Sequence, residues 1–335
     1  MDRERLQHIL DHAATKRLLV IGDLMLDEFV WGNVGRISPE APVPVVEVQS
    51  ESSYPGGAAN VARNLREFTS SVTMLGMVGT DPHGEKLTGL LRDEGISIEG
   101  LFTDSSIPTI VKTRIIAQRQ QVVRVDREQR LAPASARVDI LEKARALVGA
   151  ADAVLIEDYG KGFLDQGFVN AVLEAAREKG VIVTCDPNPK NPLEWPEIAA
   201  IKPNRSEAFA AAGIPLSPPV HPVENDQALM RVGEILLDRW NAGSLLITLS
   251  EQGMMLFRPG HTPYHTPTRA REIFDVSGAG DTSISLYTLG IAAGATPEEA
   301  AELANHAAGI VVGKLGTATC TRAELENSFK GLQEA

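Results

Sequence analysis

The chain has 335 residues, 43% of them hydrophobic, and a formal net charge of −12, enough apolar material for a sizeable core and too acidic a balance for a general nucleic-acid surface. No apolar run approaches the roughly 18 residues of a membrane span, and the charged start Met1-Asp2-Arg3-Glu4-Arg5 lacks the apolar core of a secretory signal, so a cytoplasmic protein with no membrane or nucleic-acid partner is expected. Cys185 and Cys320 are too few and too far apart for a disulfide framework or a metal site, and read as structural thiols.

An amphipathic helix is predicted over residues 6–14, then a buried strand at 17–22 that ends in Asp23-Leu24-Met25-Leu26-Asp27. Ligands of open α/β sheets gather at the carboxyl ends of strands, so Asp23 and Asp27 can accept hydrogen bonds from hydroxyls or simply cap a loop. From 28 to 49 the texture changes to short β-like pieces broken by Pro39, Pro42 and Pro44. A second β-rich piece at 109–126 has the pattern of a hairpin around residues 118–121. These suggest one small accessory sheet, although two unrelated surface hairpins fit the spacing equally. Between them Gly56-Gly57 opens a helix, and Asn60, one turn in, offers both a donor and an acceptor to a polyol. A βα unit follows, with a strand at 71–79, Gly84 as a helix-entry glycine and a helix to Glu94.

The second half alternates plainly. Helices are predicted at 138–148 and 168–179 and strands at 153–156, 181–185, 198–201 and 245–249, which by right-handed crossovers makes an α/β fold with a mostly parallel sheet. The strands end in polar runs that can share one rim: Glu157-Asp158-Tyr159-Gly160-Lys161-Gly162, Asp186-Pro187-Asn188 and Lys202-Pro203-Asn204-Arg205-Ser206-Glu207. By itself Asn204-x-x-Glu207 is a capping box. Ser250-Glu251-Gln252-Gly253 follows the next strand, and a small-residue helix at 300–313 carries Asn305 and Ala308.

The densest signal is Asp275-Val276-Ser277-Gly278-Ala279-Gly280-Asp281, between a strand-like run at 266–274 and a helix-like run at 284–293. Glycines flanking Ala279 let backbone N–H groups converge where a helix adds its unsatisfied donors, an anion cradle. Asp281 beside it is either an ordinary N-cap or a base within reach of what the cradle holds. In its D-x-x-G-A-G-D form, together with Gly56-Gly57-x-x-Asn60 and Asn204-x-x-Glu207, the chain resembles the ribokinase, or phosphofructokinase-B, family of sugar kinases from about residue 18 to 325.

That resemblance implies a single ribokinase-like domain over 1–335, with a small β-sheet lid from about 28–49 and 109–126 that commonly also forms a homodimer contact. It implies Asp281 as catalytic base, an anion hole at Gly278, Ala279 and Gly280, and sugar contacts at Asp23, Asp27, Gly56, Gly57 and Asn60. On the ATP side it implies Asn188, Asn204, Arg205, Ser206, Glu207, Ser250, Gly253, Asn305 and Ala308. Glu207 would organise Mg²⁺, and a monovalent cation would sit near Asp275. Residues 36–45, 55–62, 250–254 and 306–317 are similar to the branch that phosphorylates D-glycero-D-manno-heptose 7-phosphate at O1, and the chain length matches the stand-alone form of that kinase. A kinase for another acceptor, such as fructose 1-phosphate or a nucleoside, stays open. So does a non-catalytic sugar or nucleotide sensor, against which the intact base and N-x-x-E pair count. A phosphorylated acceptor on so acidic a protein needs fixed cations, and the candidates are Lys161 and Arg36, with Arg119 behind them.

Overall fold

The run Leu18-Leu19-Val20-Ile21 is buried on both faces: Leu18 and Val20 enter one core, Leu19 and Ile21 another. Side chains alternating with period two split this way only when helices cover both sides of the strand. The computed structural model, which describes residues 1–118, 120–130, 137–270, 274–314 and 316–330, has that three-layer form.

In chain order the first half comprises α1 (Arg3–Ala13), β1 (Arg17–Gly22), β2 (Leu24–Ile37), β3 (Pro44–Gly57), α2 (Ala58–Arg66), β4 (Ser71–Gly79), α3 (Pro82–Asp93), β5 (Ser97–Asp104), β6 (Ile110–Ala117) and β7 (Gln120–Arg127). Then come α4 (Arg137–Ala150), β8 (Ala153–Glu157), α5 (Gln166–Lys179), β9 (Ile182–Asp186), β10 (Ala200–Ile201), α6 (Arg205–Ala212) and α7 (Gln227–Trp240). The last part comprises β11 (Leu245–Thr248), β12 (Met254–Phe257), β13 (Tyr264–Thr266), α8 (Ala279–Ala292), α9 (Pro297–Val311) and α10 (Arg322–Lys330).

Nine strands form the large sheet in the order β13-β12-β11-β10-β9-β8-β1-β4-β5, all running in one direction except β12, which is antiparallel to both its neighbours near one edge. Helices α4 to α7 bury their apolar sides in one core, and α1 to α3 with α8 to α10 in the other. Strand order reverses at β1, with β4 on one flank and β8 on the other, and a crevice opens at such a switch point. Onto this rim the chain delivers Asp23 after β1, Glu157 at the end of β8, Asp186 at the end of β9 and Lys202 after β10.

The remaining strands make a second sheet, β3-β2-β6-β7, with β2 and β6 parallel and the outer pairs antiparallel. Only Asp23 separates β1 from β2, so this lid springs directly from the switch point. Two expectations need correcting. The proline-broken pieces are in fact two strands of 14 residues each: Pro39 and Pro42 lie in the connection, Pro44 heads β3, and β3 is an edge strand, where a missing N–H is tolerated. The run at 266–274 is not one strand; β13 ends at Thr266, and 271–273 lie outside the described residues.

Candidate active site

Helix α8 begins on Gly278, whose φ of 80° is in the left-handed region that favours glycine. The N–H groups of Ala279, Gly280 and Asp281 head the helix, where donors lack intrahelical partners; that of Ala279 leans on the Val276 carbonyl at 3.3 Å. Asp281 is buried, and both its oxygens accept bonds: Oδ2 from the Asn60 amide at 2.6 Å and Oδ1 from the Tyr159 hydroxyl at 2.9 Å. Burial pushes its pKa up, and the two hydrogen bonds and the Lys202 ammonium only partly oppose that. The next residue, Thr282, donates to Asn64, one turn beyond Asn60, at 2.8 Å, tying α8 to α2 and so Asp281 to Asn60.

On one side of Asp281 lies a cavity of about 510 Å³ that includes Asn188, Asn204, Glu207, Ser250, Gly253, Asn305 and Ala308 in its lining, together with Gly278, Ala279 and Gly280. At its floor Lys202 is almost fully buried and pairs with Asp186 at 2.7 Å. Burial pulls the Lys202 ammonium down, but Asp186, Glu157 and Glu207 more than offset this and raise it. Burial also pushes Asp186 up to about 7, although Lys202 opposes it. Glu157 is raised well above the carboxylate range by burial and by Asp186, and its Oε2 is buried without a hydrogen-bond partner. Asn204 and Glu207 do form the capping box of α6, and both also face the cavity. Two expected members stand apart from the lining. Arg205 turns away to bond Asp226 at 2.7 Å and stacks on Phe209, and Ser206 donates to Asn204 as part of the cap.

The other side of Asp281 faces the lid. Asp27 pairs with Arg114, and a Cβ on Gly56 would come within 2.2 Å of its Oδ2, so only glycine fits there. Gly57 ends β3 where Asn60 enters α2. Asp23, expected to meet hydroxyls, is fully buried, and its carboxylate accepts the N–H groups of Tyr159, Lys161 and Phe163 at 3.1, 2.9 and 3.2 Å. Its oxygens are committed to shaping the 159–163 loop. Lys161 pairs with Glu128 at 2.6 Å. Arg36 is exposed and lies roughly 30 Å up the strand from Asp27 at about 3.3 Å per residue, too far to serve this chain's own cleft. Arg119 lies outside the described residues.

Sequence reasoning assigned no role to Glu157, Tyr159, Asp186, Lys202 or Lys112. The first four had one available signal, their place at strand ends on the shared rim. A buried carboxylate on the wall of a groove, beside a helix N-terminus and a buried ammonium, is an arrangement that can serve group transfer to a hydroxyl.

Residues 15–324 match the pfkB family carbohydrate kinases. The chain belongs to that family and is a phosphotransferase acting on a sugar hydroxyl. Among curated proteins it is similar to the bifunctional protein HldE of Pelobacter propionicus, 44% identical over 330 residues, covering 98% of this chain and 66% of that protein. HldE of Geobacter sulfurreducens is 40% identical over 331 residues, again 98% and 66%. The chain thus spans 66% of the length of these relatives. Escherichia coli phosphofructokinase-2 in complex with substrates and products superposes with a TM-score of 0.77 at 18% identity, covering 95% of this chain and 100% of that one. Arabidopsis thaliana ribokinase complexed with ribose and ATP gives 0.70 at 20% identity, with 94% and 99% covered. At those identities the structures establish the ribokinase-like fold. Among the described residues no helix is long and apolar enough to cross a membrane.

Proposed function

We propose that this kinase transfers the γ-phosphoryl group of ATP to O1 of D-glycero-D-manno-heptose 7-phosphate, giving the 1,7-bisphosphate. The observation that carries the reading is the position of Asp281, held by Asn60 and Tyr159 on the wall of the 510 Å³ groove. A sugar lying under the lid would present its hydroxyl to Asp281, while ATP in the groove would direct its phosphates at the head of α8. Asp281 takes the hydroxyl proton, and burial, by raising its pKa, makes it a stronger base than an exposed carboxylate. The Ala279 and Gly280 amides and the Lys202 ammonium stabilise the charge on the transferring group.

The groove also suits Mg²⁺. Glu157 has an orphaned carboxylate oxygen, and Asp186 and Glu207 stand nearby, donors of the hard type this ion prefers. Bound there, it neutralises phosphate charge. A monovalent cation near Asp275, whose carboxylate accepts the Ser277 and Gly316 amides at 2.9 and 3.1 Å, belongs to the same proposal, and no step is routed through it.

The heptose acceptor rests on the resemblance of 36–45, 55–62, 250–254 and 306–317 and on the 44% identity to HldE. An ADP-release assay against heptose 7-phosphate, heptose, fructose 1-phosphate and nucleosides tests it, and faster turnover of either of the last two would overturn it. In the same assay Asp281→Asn should lower kcat by about 10³-fold with ATP binding retained. The acid limb of the wild-type kcat/KM profile should lie above the ordinary carboxylate range, since burial has raised the base.

A further inference from the structure

Residues paired across the lid share a face, and the face turned toward the active site carries the row Tyr54–Asp27–Lys112–Asp126 and, beside it, Phe29–Arg114–Arg124. Three of the four cations in this region are spoken for: Arg114 by Asp27, Arg124 by Asp126 at 2.8 Å and Lys161 by Glu128 at 2.6 Å. Lys112 is different. Among the described residues no carboxylate lies within ion-pair distance of its ammonium, which sits 5.6 Å from the centre of the Tyr159 ring. The hydroxyl of that same ring bonds Asp281, so Lys112 stands one tyrosine's length from the base. Burial, Lys161 and Arg124 pull its pKa down, and Asp27 and Asp126, its neighbours in the row, only partly oppose this because each is already paired with an arginine. The cost of such an arrangement is recovered when an anion arrives.

We propose that Lys112 binds the phosphate of the acceptor and is the residue that selects a phosphorylated sugar. The inference rests on the sugar-phosphate reading given above. A sugar phosphorylated at one end and reacting at the other spans a ring, and the Asp281–Tyr159–Lys112 line provides a base and a cation at the two ends of such a span. Lys112 replaces Arg36 in this role and takes precedence over Lys161, whose charge is already answered by Glu128.

The test compares heptose 7-phosphate with unphosphorylated heptose on wild type, Lys112→Met, Lys112→Arg and Lys161→Met. Lys112→Met should raise KM for heptose 7-phosphate roughly 10- to 100-fold and leave kcat/KM for plain heptose nearly unchanged. Lys112→Arg should keep most of the preference, and Lys161→Met should lose less of it than Lys112→Met. If Lys112 serves only to hold Tyr159 against Asp281, kcat falls equally for both sugars in Lys112→Met, and the proposal is overturned. Full retention of the preference in Lys112→Met also overturns it. A wild-type enzyme without any preference for the phosphorylated sugar refutes the acceptor reading itself, and that result is read on the wild type alone.

Discussion

Among the described residues Lys202 is the cation that pairs within the group of acids Asp186, Glu157 and Glu207, and its removal has a pH signature. Asp186 has a folded pKa of about 7 against an ordinary 3.8, raised by burial. A carboxyl raised in the fold contributes stability that is fully present below its unfolded value and is lost as pH rises through the folded one. Lys202→Met removes the cation that holds Asp186 down, so its pKa climbs further and the folded variant keeps the Asp186 proton above pH 7, where the wild type releases it. At pH 8 the variant should lose about 1 kcal/mol more, relative to wild type, than at about pH 5.5, where Asp186 is neutral in both folded proteins. Chemical denaturation at the two pH values measures this, and an equal gap at both would rule it out. Residues such as Asp281, Gly278 and Asn60 were legible because they sit in short contiguous motifs. Lys202 and Tyr159 were not, since what matters about them is their meeting with Asp186 and Asp281, and only the folded sheet brings residues 159 and 281 within 2.9 Å.

Helix α8 depends on how it starts. A Cβ on Gly278 would be left-handed and 3.0 Å from the Asn60 amide nitrogen, whereas the nearest atom to a Cβ on Gly280 is the Lys202 Nζ at 3.6 Å, ordinary contact. Gly278→Ala should therefore cost about 1–2 kcal/mol and displace Asn60 from Asp281, lowering kcat as well. Gly280→Ala, in helical conformation, should leave thermal stability nearly unchanged. A larger stability loss at 280 than at 278, read from paired melting curves, would contradict this account of the helix start. Elements with one strong period were readable in the sequence, among them β1, β8 and α5, because both faces or one stripe are uniformly apolar. β2 and β3 were under-read because prolines at 39, 42 and 44 were weighed as interruptions before it was known that β3 is an edge. The two-residue β10 is shorter than its apolar run suggests, since its ladder extends only from Ala200 to Ile201.

At the scale of the whole molecule, alternation of strands and helices implied a parallel sheet but not its order, because which strands become neighbours is decided by crossovers that leave no local mark. The parallel pairing of β2 with β6, which joins two distant insertions into one lid, was illegible for the same reason. That lid has two unlike faces. The inner one carries the charged rows described above; the outer one carries Glu51–Val30–Ile115–Val123 and, beside it, Ser53–Glu28–Thr113–Val125. Val123 and Val125 are 45% and 43% exposed, on an edge strand whose every residue is exposed. An aliphatic β6–β7 end that finishes in an open edge is a surface that proteins cover. We propose that a second copy covers it, lid against lid, in line with the homodimer that the family resemblance implies. Val123→Lys with Val125→Lys should then convert a particle of twice 36.0 kDa into a monomer in light scattering, with little change in melting temperature because neither side chain is part of the core. If the wild-type protein already runs as a 36.0 kDa monomer at micromolar concentration, the lid's outer face has another purpose.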